Sequence, residues 1–167
     1  DNVRRIRLAE SVDGRTWTVA PGNLVSPEAG DGGNVSAGNL WEWDGQLYIT
    51  YHTSSGQIRA RTIDPTLRQV GPSTLLHASS GAAPDVGRVA SPEIVTDASG
   101  TYLFYEAGAR LDARIALATL DPDGVRPGEE EPLFPVDPAN PVFEQCAVAG
   151  SDEFDGAGPG LDPTVWD

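Results

Sequence analysis

The chain has 167 residues, 39% of them apolar and 22% charged, which is enough for one ordinary core and too apolar for a disordered segment. Its 25 acids face 11 bases, all arginine, for a formal net charge of −14; that field repels phosphate backbones and argues against a nucleic-acid partner. No stretch approaches the roughly 18–20 continuous apolar residues of a spanning helix, so no membrane partner is expected.

Gly (19) and Pro (14) break the apolar residues into short runs, the pattern of strands and turns. In chain order, the run Arg5-Ile6-Arg7-Leu8-Ala9 comes first and is followed by an Asp13-Gly14 turn. Leu40-Trp41-Glu42-Trp43 and Leu47-Tyr48-Ile49-Thr50-Tyr51-His52 flank Asp44-Gly45, a hairpin signal. Ile58-Arg59-Ala60-Arg61-Thr62-Ile63 then ends on Asp64-Pro65. The same series returns. Ile94-Val95-Thr96 and Thr101-Tyr102-Leu103-Phe104-Tyr105-Glu106 flank Ala98-Ser99-Gly100, and Ile115-Ala116-Leu117-Ala118-Thr119-Leu120 ends on Asp121-Pro122. Tyr48 and Tyr51 recur as Tyr102 and Tyr105, 54 residues on. The first run matches Arg114-Ile115-Ala116-Leu117-Ala118, and the last, Asp162-Pro163-Thr164-Val165-Trp166-Asp167, matches Ser91-Pro92-Glu93-Ile94-Val95-Thr96.

Short strands repeating every fifty-odd residues indicate an all-β partial β-propeller of four-stranded antiparallel blades. An immunoglobulin-like sandwich also has short, regular strands but does not account for the self-similarity. The expected division is 1–30, the end of a blade; 31–84 and 85–145, two complete blades; and 146–167, the first strand of a further blade. Propellers close with about four to eight blades. Further blades are therefore expected from another chain, a symmetry mate or a parent polypeptide, with the segment read as a mature product or a processed fragment. The acidic surface suits an extracellular or periplasmic, secreted protein, and Cys146, the lone cysteine, reads as a small buried hydrophobe.

Ser91-Pro92-Glu93-Ile94-Val95 with Tyr102-Leu103-Phe104-Tyr105-Glu106 resembles blades of the five-bladed furanosidase-type glycoside hydrolases, the arabinanase, xylosidase, invertase and levansucrase group. The run Leu8-Ala9-Glu10-Ser11-Val12-Asp13-Gly14-Arg15-Thr16-Trp17 is similar to a blade ending of that group and loosely to the Asp-box of sialidases. Physically, its Asp serves as an acceptor for backbone N–H groups, its Gly allows positive φ, and Trp17 is expected to pack between blades. The run from Ser151 to Gly156 also resembles the opening of laminarinase-type jelly rolls.

The resemblance implies three carboxylates converging on an axial pocket from inner strands, one of them protonated while another stays ionised. It makes Asp162, in an Asp-Pro pair, the first catalytic candidate and Glu93 the second. The equivalent position in the first complete blade offers Asn39, and that in the second is Ala90, where the group carries an acid. Arg88 is the substrate-binding candidate, as a fork for hydroxyls or a carboxylate, and Trp41, Trp43 and Trp166 are candidate stacking platforms for sugars that could equally pack between blades. His52 and Glu106 occupy equivalent places after the Tyr-rich strands and read as loop-edge residues, although an axial His binds a cation or its waters in this group. Glu129-Glu130-Glu131 reads as a solvated turn.

No metal site and no cofactor is expected; a structural calcium ion is the one exception left open, at the acidic run Ser151-Asp152-Glu153-Phe154-Asp155-Gly156, which lacks the remaining ligands of a calcium loop. Three functions stay in play. One is binding or processing of a polysaccharide or oligosaccharide without a complete catalytic set in this segment. Another is a non-catalytic extracellular interaction scaffold. The third is a glycosidase whose remaining catalytic groups lie on other blades.

Overall fold

The computed structural model describes residues 3–109, 113–121, 124–125 and 131–132. All lie in the compact unit Asp1–Phe134; the second unit, Pro135–Asp167, falls outside the described residues.

Among the described residues, the runs from Leu40 to Ile63 and from Ile94 to Leu120 form strands rich in β-branched and aromatic residues, and no helix occurs. The N-terminal segment is an antiparallel pair: β1 (Ala9–Glu10) lies on β2 (Thr18–Val19), extended by a bridge between Ile6 and Val25. A four-stranded antiparallel sheet follows in chain order: β3 (Val35–Trp43), β4 (Gln46–Thr53), β5 (Gln57–Thr62) and β6 (Thr74–Ala78). The next sheet repeats it with β7 (Val89–Thr96), β8 (Thr101–Ala107) and β9 (Arg114–Asp121). Two short pieces, β10 (Gly124–Val125) and β11 (Glu131–Pro132), occupy the far edge of β9. This is the all-β partial propeller that the repeat predicts.

The equivalence of the two sheets extends to backbone angles. β3 and β7 each carry a bulge against the following strand, between Ser36 and Asn39 and between Ala90 and Glu93. In each bulge a non-glycine residue adopts the left-handed region, Ala37 at φ 53° and Ser91 at φ 49°, the same 54 residues apart as the tyrosines. Asp44 (φ 49°) and Gly45 (φ 75°) close the β3–β4 hairpin with both central residues at positive φ, as a two-residue primed turn requires.

Alternation along the strands gives the first sheet two apolar faces. Ile49 and Tyr51 bury against Val25 and Val35 on the side of the N-terminal pair. On the other side Ile58, Ala60 and Leu76 share a cluster with Val89, Leu103 and Tyr105 of the second sheet, and Trp41 and Trp43 pack against that cluster. Each large apolar side chain fully buried there is worth about 1.5–3 kcal/mol relative to exposure. Trp17 departs from expectation: it is 60% exposed beside its turn, because the Asp13 turn is completed by local hydrogen bonds and needs no cover. Ile115 and Val95 are likewise exposed, on the face of the second sheet that corresponds to the covered face of the first.

The segment connecting the sheets is held by buried polar groups. Asp85, fully buried, accepts a 2.8 Å hydrogen bond from the Tyr105 hydroxyl on Oδ1 and has Oδ2 3.0 Å from Nε2 of buried His77 on β6. The imidazole meets the Tyr105 ring edge-on at 4.9 Å between centroids. Tyr51, the equivalent tyrosine of the first sheet, is satisfied differently. It receives Nε of buried Arg61 at 3.1 Å and shares a 2.9 Å bond with Ser73, while Arg61 pairs with Glu28 ahead of β3. We expect Tyr105→Phe to cost about 1–3 kcal/mol, because it leaves a buried acceptor without its donor, and Asp85→Ala to cost more, because it leaves both the Tyr105 hydroxyl and the His77 ring without their buried neighbour. Urea denaturation measures both, and a loss below 1 kcal/mol for Asp85→Ala would show that the connection is held by packing alone.

Candidate functional site

The bulges bring the starts of β3 and β7 together with the ends of β4 and β8. A depression of about 380 Å³ opens there, with Asn34, Ser36 and His52 from the first sheet, Arg88 and Glu106 from the second, and Arg4 from the N-terminal segment on its walls. By the 54-residue equivalence, Asn34 corresponds to Arg88, Ser36 to Ala90, and His52 to Glu106, so adjacent sheets supply the same positions with different side chains.

Ser91 ties the two halves. Its left-handed backbone directs its N–H to Nδ1 of His52 at 3.1 Å, and its hydroxyl donates to Oε2 of Glu106 at 3.1 Å. Arg88 forms an ion pair with the other carboxylate oxygen of Glu106 through Nη2. Since Nδ1 accepts, the neutral His52 ring carries its proton on Nε2. Burial holds the imidazole below its ordinary value of 6.5; Arg88 and Arg4 push the same way and Glu106 opposes them. Arg4 is placed through its backbone, its N–H donating to Oδ1 of Asn34 at 2.7 Å and its carbonyl accepting from Val35 at 3.2 Å.

Of the site residues expected from sequence, Arg88 lines this depression. Glu93 is exposed and receives the Asn39 amide, which also donates to the Pro92 carbonyl at 3.1 Å; neither Glu93 nor Asn39 lines the depression. Trp41 stacks on Tyr48 at 4.7 Å and meets Trp43 edge-on at 5.6 Å, both rings packing against the core shared by the sheets rather than on the depression wall. Asp162, Trp166, Cys146 and the acidic run at Ser151 lie outside the described residues, as do Glu129 and Glu130. His52 and Glu106, read from sequence as loop-edge residues, are half-buried and form the centre of the site. Their equivalence in the repeat was the available signal. Ala90 is fully buried, so a carboxylate there would have to be desolvated.

The turn aspartates belong to the scaffold. Backbone N–H groups of Thr16 and Arg15 hold the Asp13 carboxyl at about 2, and the Thr66 hydroxyl with the Gln69 N–H does the same for Asp64. Among the described residues, no three His, Cys, Asp or Glu side chains are grouped to hold a metal ion.

The sign of the His52 shift fixes a pH dependence. The unfolded imidazole takes up a proton near 6.5 and the folded one only at lower pH. The neutral ring's contribution is therefore complete above 6.5 and is lost as pH falls through the folded value. Thermal denaturation between about pH 7 and pH 5 should show wild type losing more stability than His52→Gln. Parallel losses would mean that His52 is not held neutral.

No protein-family model matches the sequence, and no curated protein matches it. Two solved structures share its fold. The α-L-arabinofuranosidase of Lactobacillus brevis superposes with a TM-score of 0.52 at 14% identity, over 70% of this chain and 41% of that one. A mutant of the GH32 β-fructofuranosidase of Bombyx mori, in complex with sucrose, superposes with a TM-score of 0.56 at 16% identity, over 76% of this chain and 30% of that one. This chain thus spans less than half the length of either. Both neighbours are furanosidases, so the shared fold falls on the group that the blade motifs resemble.

Proposed function

We propose that the depression between β3 and β7 binds carbohydrate, and that the chain acts as the saccharide-binding part of a secreted propeller whose further blades come from elsewhere. The reading is carried by the wall itself: Nε2–H of His52, the Asn34 amide, the Ser36 hydroxyl and the Arg88 guanidinium face one open volume at the inner end of two adjacent blades. Fixed polar groups of this kind suit ligand hydroxyls, and the volume lies within the range of about 300–1,000 Å³ usual for small-ligand sites. Its fold neighbours, one of them solved with sucrose, act on sugars.

Hydrolysis asks for more than these residues bring. Glycosidases set two carboxyl groups about 5–5.5 Å apart for retention, or about 6.5–9.5 Å apart for inversion, with one of them protonated. Among the described residues the depression holds one carboxyl group, Glu106, and both of its oxygens are engaged, by Arg88 and by the Ser91 hydroxyl. By the sequence resemblance alone Asp162 is our candidate for a further catalytic carboxyl group; the described residues of the depression bind without cleaving. A scaffold with no sugar ligand is the alternative.

Affinity electrophoresis on arabinan, xylan, levan and acidic polysaccharides tests the reading. Retention on at least one is expected, weakened about tenfold or more by Arg88→Ala, which deletes hydrogen bonds from a charged donor. No retention on any gel leaves the scaffold. If a longer parent cleaves aryl-furanosides, Asp162→Asn should abolish that cleavage, and unchanged turnover would remove Asp162 as a catalytic candidate.

A further inference from the structure

The hydrogen-bonding inventory of the depression is unbalanced. Its one carboxylate is committed, with Oε1 to Arg88 and Oε2 to the Ser91 hydroxyl. Nδ1 of His52 is taken by the Ser91 N–H, and Oδ1 of Asn34 by the N–H of Arg4. The donors, by contrast, are largely unspent. Nε2–H of His52 is left by the tautomer that its Nδ1 bond requires. The Asn34 amide N–H groups remain, because the oxygen carries that residue's contact with Arg4. Arg88 uses Nη2 on Glu106 and its Nε is enclosed by protein, which leaves Nη1 as its unspent donor. The hydrogen bonds of Arg4 run through its backbone, and among the described residues no carboxylate pairs with its guanidinium.

A neutral sugar offers hydroxyls that donate as readily as they accept, and a wall for it needs both kinds of group. A carboxylate is acceptor-only, with about four lone-pair sites, and the planar guanidinium fork matches it with two parallel bonds. Charge agrees with hydrogen bonding. Arg4 and Arg88 stand against Glu106 alone, so the wall carries a surplus positive charge in a chain whose formal charge is −14. Burial is the main cause that holds His52 below its ordinary value, and the same two arginines add to it while Glu106 opposes them.

We infer that the depression takes an acidic saccharide unit, a uronate type whose carboxylate sits against Arg4 and the free edge of Arg88 while its hydroxyls meet His52, Asn34 and Ser36. This rests on the carbohydrate reading above and narrows it to a substrate class. Glu106 is then a positioning residue: it fixes the plane of Arg88, and Ser91 fixes Glu106.

The test compares polygalacturonate with its fully methyl-esterified form, which keeps the sugar chain and removes the charge, with neutral arabinan and a sulfated, carboxylate-free galactan as further arms. Ionic strength is set at about 0.15 M, where a Debye length of about 8 Å screens the acidic surface. Retention on polygalacturonate is expected, with at least about tenfold weaker retention on the ester. Arg4→Ala should reproduce that loss with an unchanged far-UV spectrum, since its side chain is exposed and its hydrogen bonds to neighbouring segments run through the backbone, and Arg4→Lys should recover part of it. Equal retention on the acid and its ester, or preference for arabinan, overturns the acidic specificity and leaves sugar binding intact. Preference for the sulfated galactan overturns the carboxylate. Failure on all four gels overturns the carbohydrate reading itself.

Discussion

The connection from β6 to β7 is mostly exposed to solvent, yet it must fix the point at which the second sheet begins. Asp85 resolves this conflict between the two sheets. It sits in the connection, reaches back to His77 on β6 and accepts the hydroxyl of Tyr105 on β8, so one buried carboxylate fixes three segments. An unpaired carboxylate at that depth would cost several kcal/mol, which makes the arrangement all-or-none. With it in place β7 starts at a defined point beside β3. The geometry of the depression follows from that start.

The bulges then convert a stacking arrangement into a site. Regular pairing through residues 36–39 and 90–93 would keep the backbone N–H of Ser91 within its own ladder. At φ 49° it leaves the ladder and meets His52 across the gap between sheets. Non-glycine residues in this region cost of order 1–3 kcal/mol and persist where neighbouring contacts over-determine them. Here Ser91 is held three ways, by the bulge, by His52 through its N–H and by Glu106 through its hydroxyl. Ala37, its equivalent, shows that the strain belongs to the repeat, while the contacts made from it belong to the second copy.

The sequence made the scaffold legible because its signals are local. Tyr48/Tyr102 and Tyr51/Tyr105 set the period, and Asp44-Gly45 set a hairpin with the required positive φ. The connections were harder to see, although Asp31-Gly32-Gly33 and Asp85-Val86-Gly87 also lie 54 residues apart. Both aspartates are buried. Asp31 caps its own turn at Glu28, however, whereas Asp85 reaches across to another strand, and a two-residue identity does not announce that difference. Tryptophans misdirect for a related reason. Trp41 and Trp43 carry the ring area a sugar would stack on, but they alternate with Leu40 and Glu42 onto the face that the second sheet covers, and a large ring is most favourable where it excludes water. The His52 and Glu106 pair was visible as an equivalence; its function was not, because a half-buried histidine is distinguished from a loop-edge one only by what the neighbouring sheet brings to it.

Divergence between the copies is what gives the depression its chemistry. If both sheets carried the residues of the first, the wall would hold two asparagines, two serines and two histidines, a balanced set of neutral donors and acceptors. If both carried those of the second, two arginines and two glutamates would neutralise each other in pairs. The observed mixture sets one guanidinium against one carboxylate and leaves His52 and Asn34 facing open volume, while Arg4 adds a second guanidinium from a third segment. A repeat thus supplies rigid, equivalent positions at little folding cost, and substitution at one copy alone shifts the local balance from neutral to donor-rich.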